Sequence, residues 1–239
     1  MQIPAVIGQM CRWIDGGGPA RAIAVTGMHG VTEALGAPDV REALRSADLV
    51  VADGMPLVWL GRIYGHRMKR HVYGPELMWR FCRATMSRGY RHFLYGGAPG
   101  VAEGLAKRME ERFPGIIVAG THAPPFRPLR GAERVEVVRM LRAARPDIIW
   151  VGLSTPRQEL WMNEIRTELD SGVLVGVGAA LDLNSGRTAQ APAWMRESGL
   201  DWFFRLTHEP RRLWKRYLLR GPQFLFNVWL ELTGFRAFD

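Results

Sequence analysis

The chain has 239 residues, 47% apolar and 23% charged, which is enough to bury a core in one large domain or in a domain with an appendage and excludes a disordered protein. Cys11 and Cys82 form neither a C-x-x-C pair nor a metal-ligand spacing, so the sequence suggests no disulfide framework and no zinc site, and a reducing compartment fits. A net charge of +9 and a pI near 10.3 point to an anionic partner, whether nucleic acid, a lipid surface or a phosphorylated substrate.

From the amino terminus, Met1 to Trp13 lacks the basic start, apolar run and small-residue cleavage site of a secretory signal, and none is expected. No apolar stretch approaches the roughly 20 residues of a membrane span, so the expectation is a soluble or peripheral protein. Ala22 to Thr26 reads as a first buried strand, followed by Gly27 and a helical stretch through Glu33. Pro38 opens a helix to Ser46, and Leu49 to Val51 is the second strand. It runs into Ala52-Asp53-Gly54-Met55-Pro56, where the next helix begins and continues to Ile63, so Asp53 stands at the carboxyl end of a strand. In an open α/β sheet that rim is where ligands bind. Asp53 has two readings there: a helix cap, or a base that takes a proton from a substrate hydroxyl.

Pro75 suits the first turn of a helix reaching Arg88. Strand and helix then alternate: His92 to Tyr95, Val101 to Arg112, Ile116 to Ala119, Ala132 to Ala144, Asp147 to Val151, Arg157 to Glu168, Val173 to Val177. This pattern predicts an α/β, Rossmann-like, mostly parallel sheet with helices on both faces, its strand order undetermined. Past Pro192 the composition shifts to Trp, Phe, Arg and Leu, and Pro210 interrupts the helical pattern; an α/β catalytic domain at 1–194 and a helical appendage at 195–239 are expected. Arg205 to Arg220 carries six Lys or Arg against one acid. On a regular helix from Arg211 to Arg220, Leu213, Trp214, Tyr217 and Leu218 fall on one arc and Arg211, Arg212, Lys215, Arg216 and Arg220 on the other, a pattern suited to an anionic bilayer surface. The same apolar residues also suit packing on the core or a dimer interface.

Three strand-to-helix turns carry candidate chemistry. Gly96-Gly97-Ala98-Pro99-Gly100 is placed to cradle a diphosphate with backbone amides, or is simply a tight turn; it is not G-x-G-x-x-G. In Ser154-Thr155-Pro156-Arg157-Gln158-Glu159, Arg157 offers a fork for phosphate and Gln158 donors and an acceptor for a base or sugar, against plain capping by Ser154 or Thr155 with Glu159 in the first turn. Gly176 to Asp182 ends in an acid suited to ribose hydroxyls or to a cap.

Asp53-Gly54-Met55-Pro56-Leu57-Val58-Trp59, Val72-Tyr73-Gly74-Pro75-Glu76-Leu77, the turn from Gly152 through Glu159, Gly176 through Asp182, and Gly199 through Arg212 occur in that order over nearly the whole chain. Together they resemble the WecG/TagA/CpsF glycosyltransferases. The resemblance implies transfer of a sugar, an N-acetylmannosamine or related hexose, from a UDP-sugar to a polyprenyl-diphosphate-linked sugar in cell-surface polysaccharide synthesis. It also implies inversion at the anomeric carbon by a protein peripheral on the cytoplasmic face of the membrane. By the same resemblance Asp53 matches the proposed base, Gln158 and Asp182 match the nucleotide-side turns, and Arg205, Arg212 and Arg216 match basic positions for diphosphate groups; Thr26, Gly96, Gly97, Arg157 and Glu159 join them as candidates for the nucleotide-sugar side. No Asp-x-Asp pair is found, so no metal cofactor is expected and amides and guanidinium groups would stabilise the leaving diphosphate. The chain departs from the pattern at Met28, where an Asn is usual, at His71 and Gln190, where Arg is usual, and at His122-Ala123-Pro124-Pro125-Phe126, which replaces an aromatic turn. His29 beside Met28 reads as a hydrogen-bonding substitute or as a satisfied core or loop histidine. The rival readings are a nucleotide-dependent Rossmann oxidoreductase, which lacks its fingerprint here, and a basic nucleic-acid-binding protein, which would interleave aromatics with charge.

Overall fold

Six short apolar runs become six parallel strands in the computed structural model, which describes residues 1–235. They are β1 (Arg21–Thr26), β2 (Leu49–Ala52), β3 (Arg91–Gly96), β4 (Ile117–His122), β5 (Ile148–Gly152) and β6 (Val173–Gly176), ordered β2-β1-β6-β5-β3-β4. All five ladders are parallel, as the alternation of strand and helix predicts. Both faces of the sheet are covered. On β5, Ile148 and Trp150 enter one core with Ile23, Leu94, Phe81 and Leu105, whereas Ile149 and Val151 enter the other with Leu141, Trp161 and Ile165.

The helices are α1 (Ile3–Gly16), α2 (Met28–Gly36), α3 (Pro38–Arg45), α4 (Met55–Ile63), α5 (Gly74–Thr85), α6 (Val101–Arg112), α7 (Gly131–Ala144), α8 (Arg157–Ile165), α9 (Ala180–Ser185), α10 (Ala193–Glu197), α11 (Asp201–His208), α12 (Pro210–Trp214) and α13 (Arg220–Leu232). Helix α1 is absent from the sequence reading, although Ile3, Val6 and Met10 recur at helical spacing and are all buried. Residues 236–239 of the expected appendage lie outside the described residues.

The carboxyl-terminal helices correct one expectation. Pro210 starts α12 as its first residue, as its fixed φ favours, but Lys215–Leu219 form a π-helical turn before α13. The regular helix expected from Arg211 to Arg220 is therefore broken, and its two arcs do not survive. Leu213 is buried, Trp214 and Leu218 are exposed, and Arg216 and Tyr217 both turn inward to one cavity. Helix α13 rests on α2, with Arg220 Nε 3.1 Å from Glu33 Oε1 and Gly221 against Met28.

The rim at the strand ends is drawn tight by glycines. Gly96 has φ +121°, and a Cβ there would lie 2.5 Å from the Gly152 carbonyl oxygen, while the Gly97 amide donates to that oxygen at 3.1 Å. Gly96→Ala should cost about 3 kcal/mol, from backbone strain and the clash together. Urea unfolding would show this as a lower midpoint at unchanged slope, and an unchanged midpoint would mean that the β3 and β5 turns do not meet this closely.

Candidate active site

Asp53 follows β2 and extends its ladder: the Asp53 amide donates to the Thr26 carbonyl at 2.8 Å, and the Val72 amide donates to the Ala52 carbonyl at 2.8 Å. The first bond holds Asp53 beside the end of β1, where a Cβ on Gly27 would meet the Asp53 carbonyl oxygen at 2.9 Å. The second brings His71 and Tyr73 alongside. From above, α10, α11 and the π-helical turn add Arg196, Asp201, Arg205, Arg216 and Tyr217. These groups line a cavity of about 80 Å³ that is partly open to solvent.

Unmet hydrogen-bonding capacity concentrates here. His29 Nδ1, His71 Nδ1, Tyr73 Oη, Arg196 Nε and Asp201 Oδ1 belong to residues that line the cavity; these atoms are buried and have no hydrogen-bond partner among the described residues. Thr26 Oγ1, one strand over from Asp53, is in the same condition. Buried polar groups are paired in the great majority of cases, so a cluster of such atoms marks a place built for a polar ligand.

Burial, and next the neighbouring Asp201 carboxylate, raise the Asp53 pKa to about 7, against the opposing pull of Arg216, Arg205 and the Gly54 amide. Such a carboxylate is half ionised near neutrality, the range in which a general base is most effective. Burial also raises Asp201, although Arg205 and His71 oppose the shift. His29 falls to about 4, through burial and then through Arg216, so it lines the cavity as a neutral imidazole. A hydrogen bond with the Thr155 backbone partly offsets the fall, and Glu33 Oε1 lies 3.8 Å from His29 Nδ1. Asp201→Asn removes the like charge beside Asp53, so the acidic limb of a pH-rate profile governed by Asp53 should move to lower pH. An unmoved limb would separate the two carboxylates electrostatically.

The other sequence candidates distribute unevenly. Arg205 and Arg216 join Asp53, half-buried, on the cavity wall. Arg212 lies just outside, exposed, paired with Glu209 and within electrostatic reach of Asp182. Burial raises Asp182, while Arg212 and Arg187 draw it down. The Gly96-Gly97 turn meets Gly152, which in turn abuts the Gly178 carbonyl, so the three turns converge on one rim. Gln158 is buried between them: its Oε1 accepts from the Gly178 amide at 2.9 Å and its Nε2 donates to Glu159 at 3.0 Å. Glu159 Oε1 also accepts from Thr155 Oγ1 at 2.8 Å. The geometry thus gives Gln158 and Glu159 the task of holding two turns together.

Arg157 does not line the Asp53 cavity. Its guanidinium stacks at 4.0 Å on the ring of Phe126 and lines a separate cavity of about 440 Å³ with Tyr95, Leu153 and Trp161. His71, Tyr73, Arg196 and Asp201 received no role from the sequence. Tyr73 and Asp201 do fall in the recurring segments quoted above, which was the available signal.

The sequence profile of the glycosyl transferase WecG/TagA/CpsF family matches residues 1–237. The chain belongs to that family. It is 30% identical to an N-acetylglucosaminyldiphosphoundecaprenol N-acetyl-beta-D-mannosaminyltransferase of Bacillus spizizenii, over 82% of this chain and 74% of the relative. Proteins of the same name from Bacillus subtilis and Staphylococcus aureus are 28% and 26% identical, over 84% and 78% of this chain and 75% and 71% of their own lengths. As a WecG/TagA/CpsF glycosyltransferase, the chain carries the oxidoreductase-like glycine turns within a sugar-transfer fold. Among the described residues no helix is long and apolar enough to cross a membrane, and no cluster of three or more His, Cys, Asp or Glu is placed to hold a metal.

Proposed function

We propose that this protein is an inverting glycosyltransferase that moves a hexose of the N-acetylmannosamine type from a UDP-sugar to an N-acetylglucosamine on a polyprenyl diphosphate, without a metal ion. The observation that carries the reading is the placement of Asp53 in one cavity with Arg205, Arg216 and a wall of unpartnered polar atoms. The relatives' names supply the acceptor class.

In the reaction the acceptor hydroxyl oxygen bonds to the anomeric carbon as the carbon–oxygen bond to the diphosphate breaks. The hydroxyl proton passes to the Asp53 carboxylate, and the bonding pair leaves with UDP. Arg205 and Arg216 offset the charge that develops on the departing diphosphate, the part a divalent cation plays elsewhere. Burial alone would lower the proton affinity of Arg205, but Tyr217, Asp201, Tyr73 and Asp53 more than offset this; burial lowers that of Arg216, which remains a cation as guanidinium groups do. Asp182, with Arg212 nearby, and the Gly96-Gly97 turn form the nucleotide side. The exposed apolar and basic residues of α12, the π-helical turn and α13 hold the protein on the cytoplasmic face of an anionic membrane, each basic group near the surface contributing about 1 kcal/mol.

The test is transfer from UDP-N-acetylmannosamine to a short-chain N-acetylglucosaminyl diphosphate lipid in EDTA, with the product's anomeric configuration read by NMR. A β-linked product from the α-donor supports the reading. Activity only with added Mg²⁺ or Mn²⁺ would overturn metal independence, and absence of UDP binding by calorimetry would overturn the donor.

A further inference from the structure

We propose that α4 is a second lipid-contacting element. Its Trp59–Ile63–Tyr64 edge joins the carboxyl-terminal helices in one apolar surface, which seats in an anionic bilayer around the mouth of the Asp53 cavity. The inference rests on the lipid-linked acceptor reading above.

The pattern of α4 is inverted for a surface helix. Met55 and Val58 face the core, and the outward positions that ordinarily carry charge hold Trp59, 46% exposed, and Ile63, 62% exposed, one helical turn apart. Tyr64 follows at 45% exposed. The last turn of the helix and the loop that leaves it are basic: Arg62, Arg67 and Lys69 are all exposed, and Arg62 closes the loop by donating to the Met68 and Lys69 carbonyls at 2.8 and 2.9 Å. An aliphatic residue flanked by Trp and Tyr, with cations just beyond, is the composition of a headgroup-level contact.

This edge is continuous with the tail. Gly199, in the turn between α10 and α11, packs so closely on Trp59 that a Cβ there would lie 2.9 Å from its ring. Tyr64 faces Glu231 of α13. Helix α13 exposes Leu225, Phe226, Trp229 and Leu232, and the turn before it exposes Leu218 and Leu219. Met55 and Pro56 from the first turn of α4 and Trp202 and Tyr217 from the tail line the cavity itself, so the apolar surface reaches the cavity wall from both sides of the chain. A patch this broad on a protein of net charge +9, with cations at its margins, fits an anionic lipid surface. The nine residues of α4 run about 14 Å from the cavity mouth to Ile63.

The test uses the full chain and vesicles of phosphatidylcholine with or without phosphatidylglycerol. Ile63→Cys in a Cys11→Ser background carries an environment-sensitive fluorophore. Blue-shifted emission on adding anionic vesicles, quenched by bromine-labelled acyl chains, is expected. Ile63→Ser should partition about tenfold more weakly into the anionic vesicles while its transfer rate to a water-soluble acceptor stays unchanged. If the label stays in water and Ile63→Ser partitions normally while Leu225→Ser partitions weakly, α4 is not a lipid contact, although the tail is. If the wild type ignores every vesicle, membrane contact is lost altogether, yet transfer to the soluble acceptor still tests the glycosyltransferase reading. A blue shift without vesicles, together with a dimer mass in light scattering, would assign the surface to a second copy and overturn the proposal.

Discussion

Asp53→Asn is expected to lower the transfer rate by about 10³-fold, within the range for removal of a general base, while UDP binding persists. The same substitution should make the protein more stable at neutral pH. With a pKa of about 7 in the folded state, raised from an ordinary value of 3.8, Asp53 holds its proton in the native protein where the unfolded chain has already released it. Stability therefore falls as pH rises from about 4 to about 7, and the deficit is full above that window. The amide has no charge to bury, so the mutant's gain over wild type should be largest near pH 8, at up to about 4 kcal/mol, and vanish near pH 4. Thermal melts across that range check the sign. A mutant less stable than wild type at pH 8 would mean that Asp53 is a structural cap, the alternative its position in the sequence allows.

Arg216→Ala is expected to cost about 10²–10³ in kcat, as removal of one preorganised charge from a developing anion does. Arg216 also holds down the Asp53 pKa, so its loss should move the acidic limb of the rate profile upward, opposite to Asp201→Asn. Arg216→Lys keeps a charge but loses the planar fork, and it should recover only part of the rate. Unchanged kcat with a raised KM for the lipid acceptor would transfer Arg216 from the departing diphosphate to the acceptor's own.

The α/β class was legible because apolar runs alternating with helical periods admit few other packings, and Asp53 was legible because an acid at a strand end precedes a Gly and a helix-opening Pro. Strand order was not, since β6 slots between β1 and β5 through contacts remote in sequence. The cavity wall was only half legible. Arg205 and Arg216 stood out in a basic run, but Tyr73 and His71 reach Asp53 through one long-range backbone bond, from Val72 to Ala52. The setting of Arg157 was not legible, because a guanidinium at a helix start gives no sign in the sequence that the ring of Phe126, 31 positions earlier, stacks on it. The π-helical turn defeated a projection that assumes 100° per residue, and that turn is what allows Arg216 and Tyr217 to face the same cavity.

The carboxylate and the cations that answer it come from opposite ends of the polypeptide. On the proposed assignment the two halves of the site are joined only by the fold: a chain interrupted between Asp53 and Arg205 would carry the carboxylate without the cations, and α11 and the π-helical turn complete the cavity by closing over the end of β2.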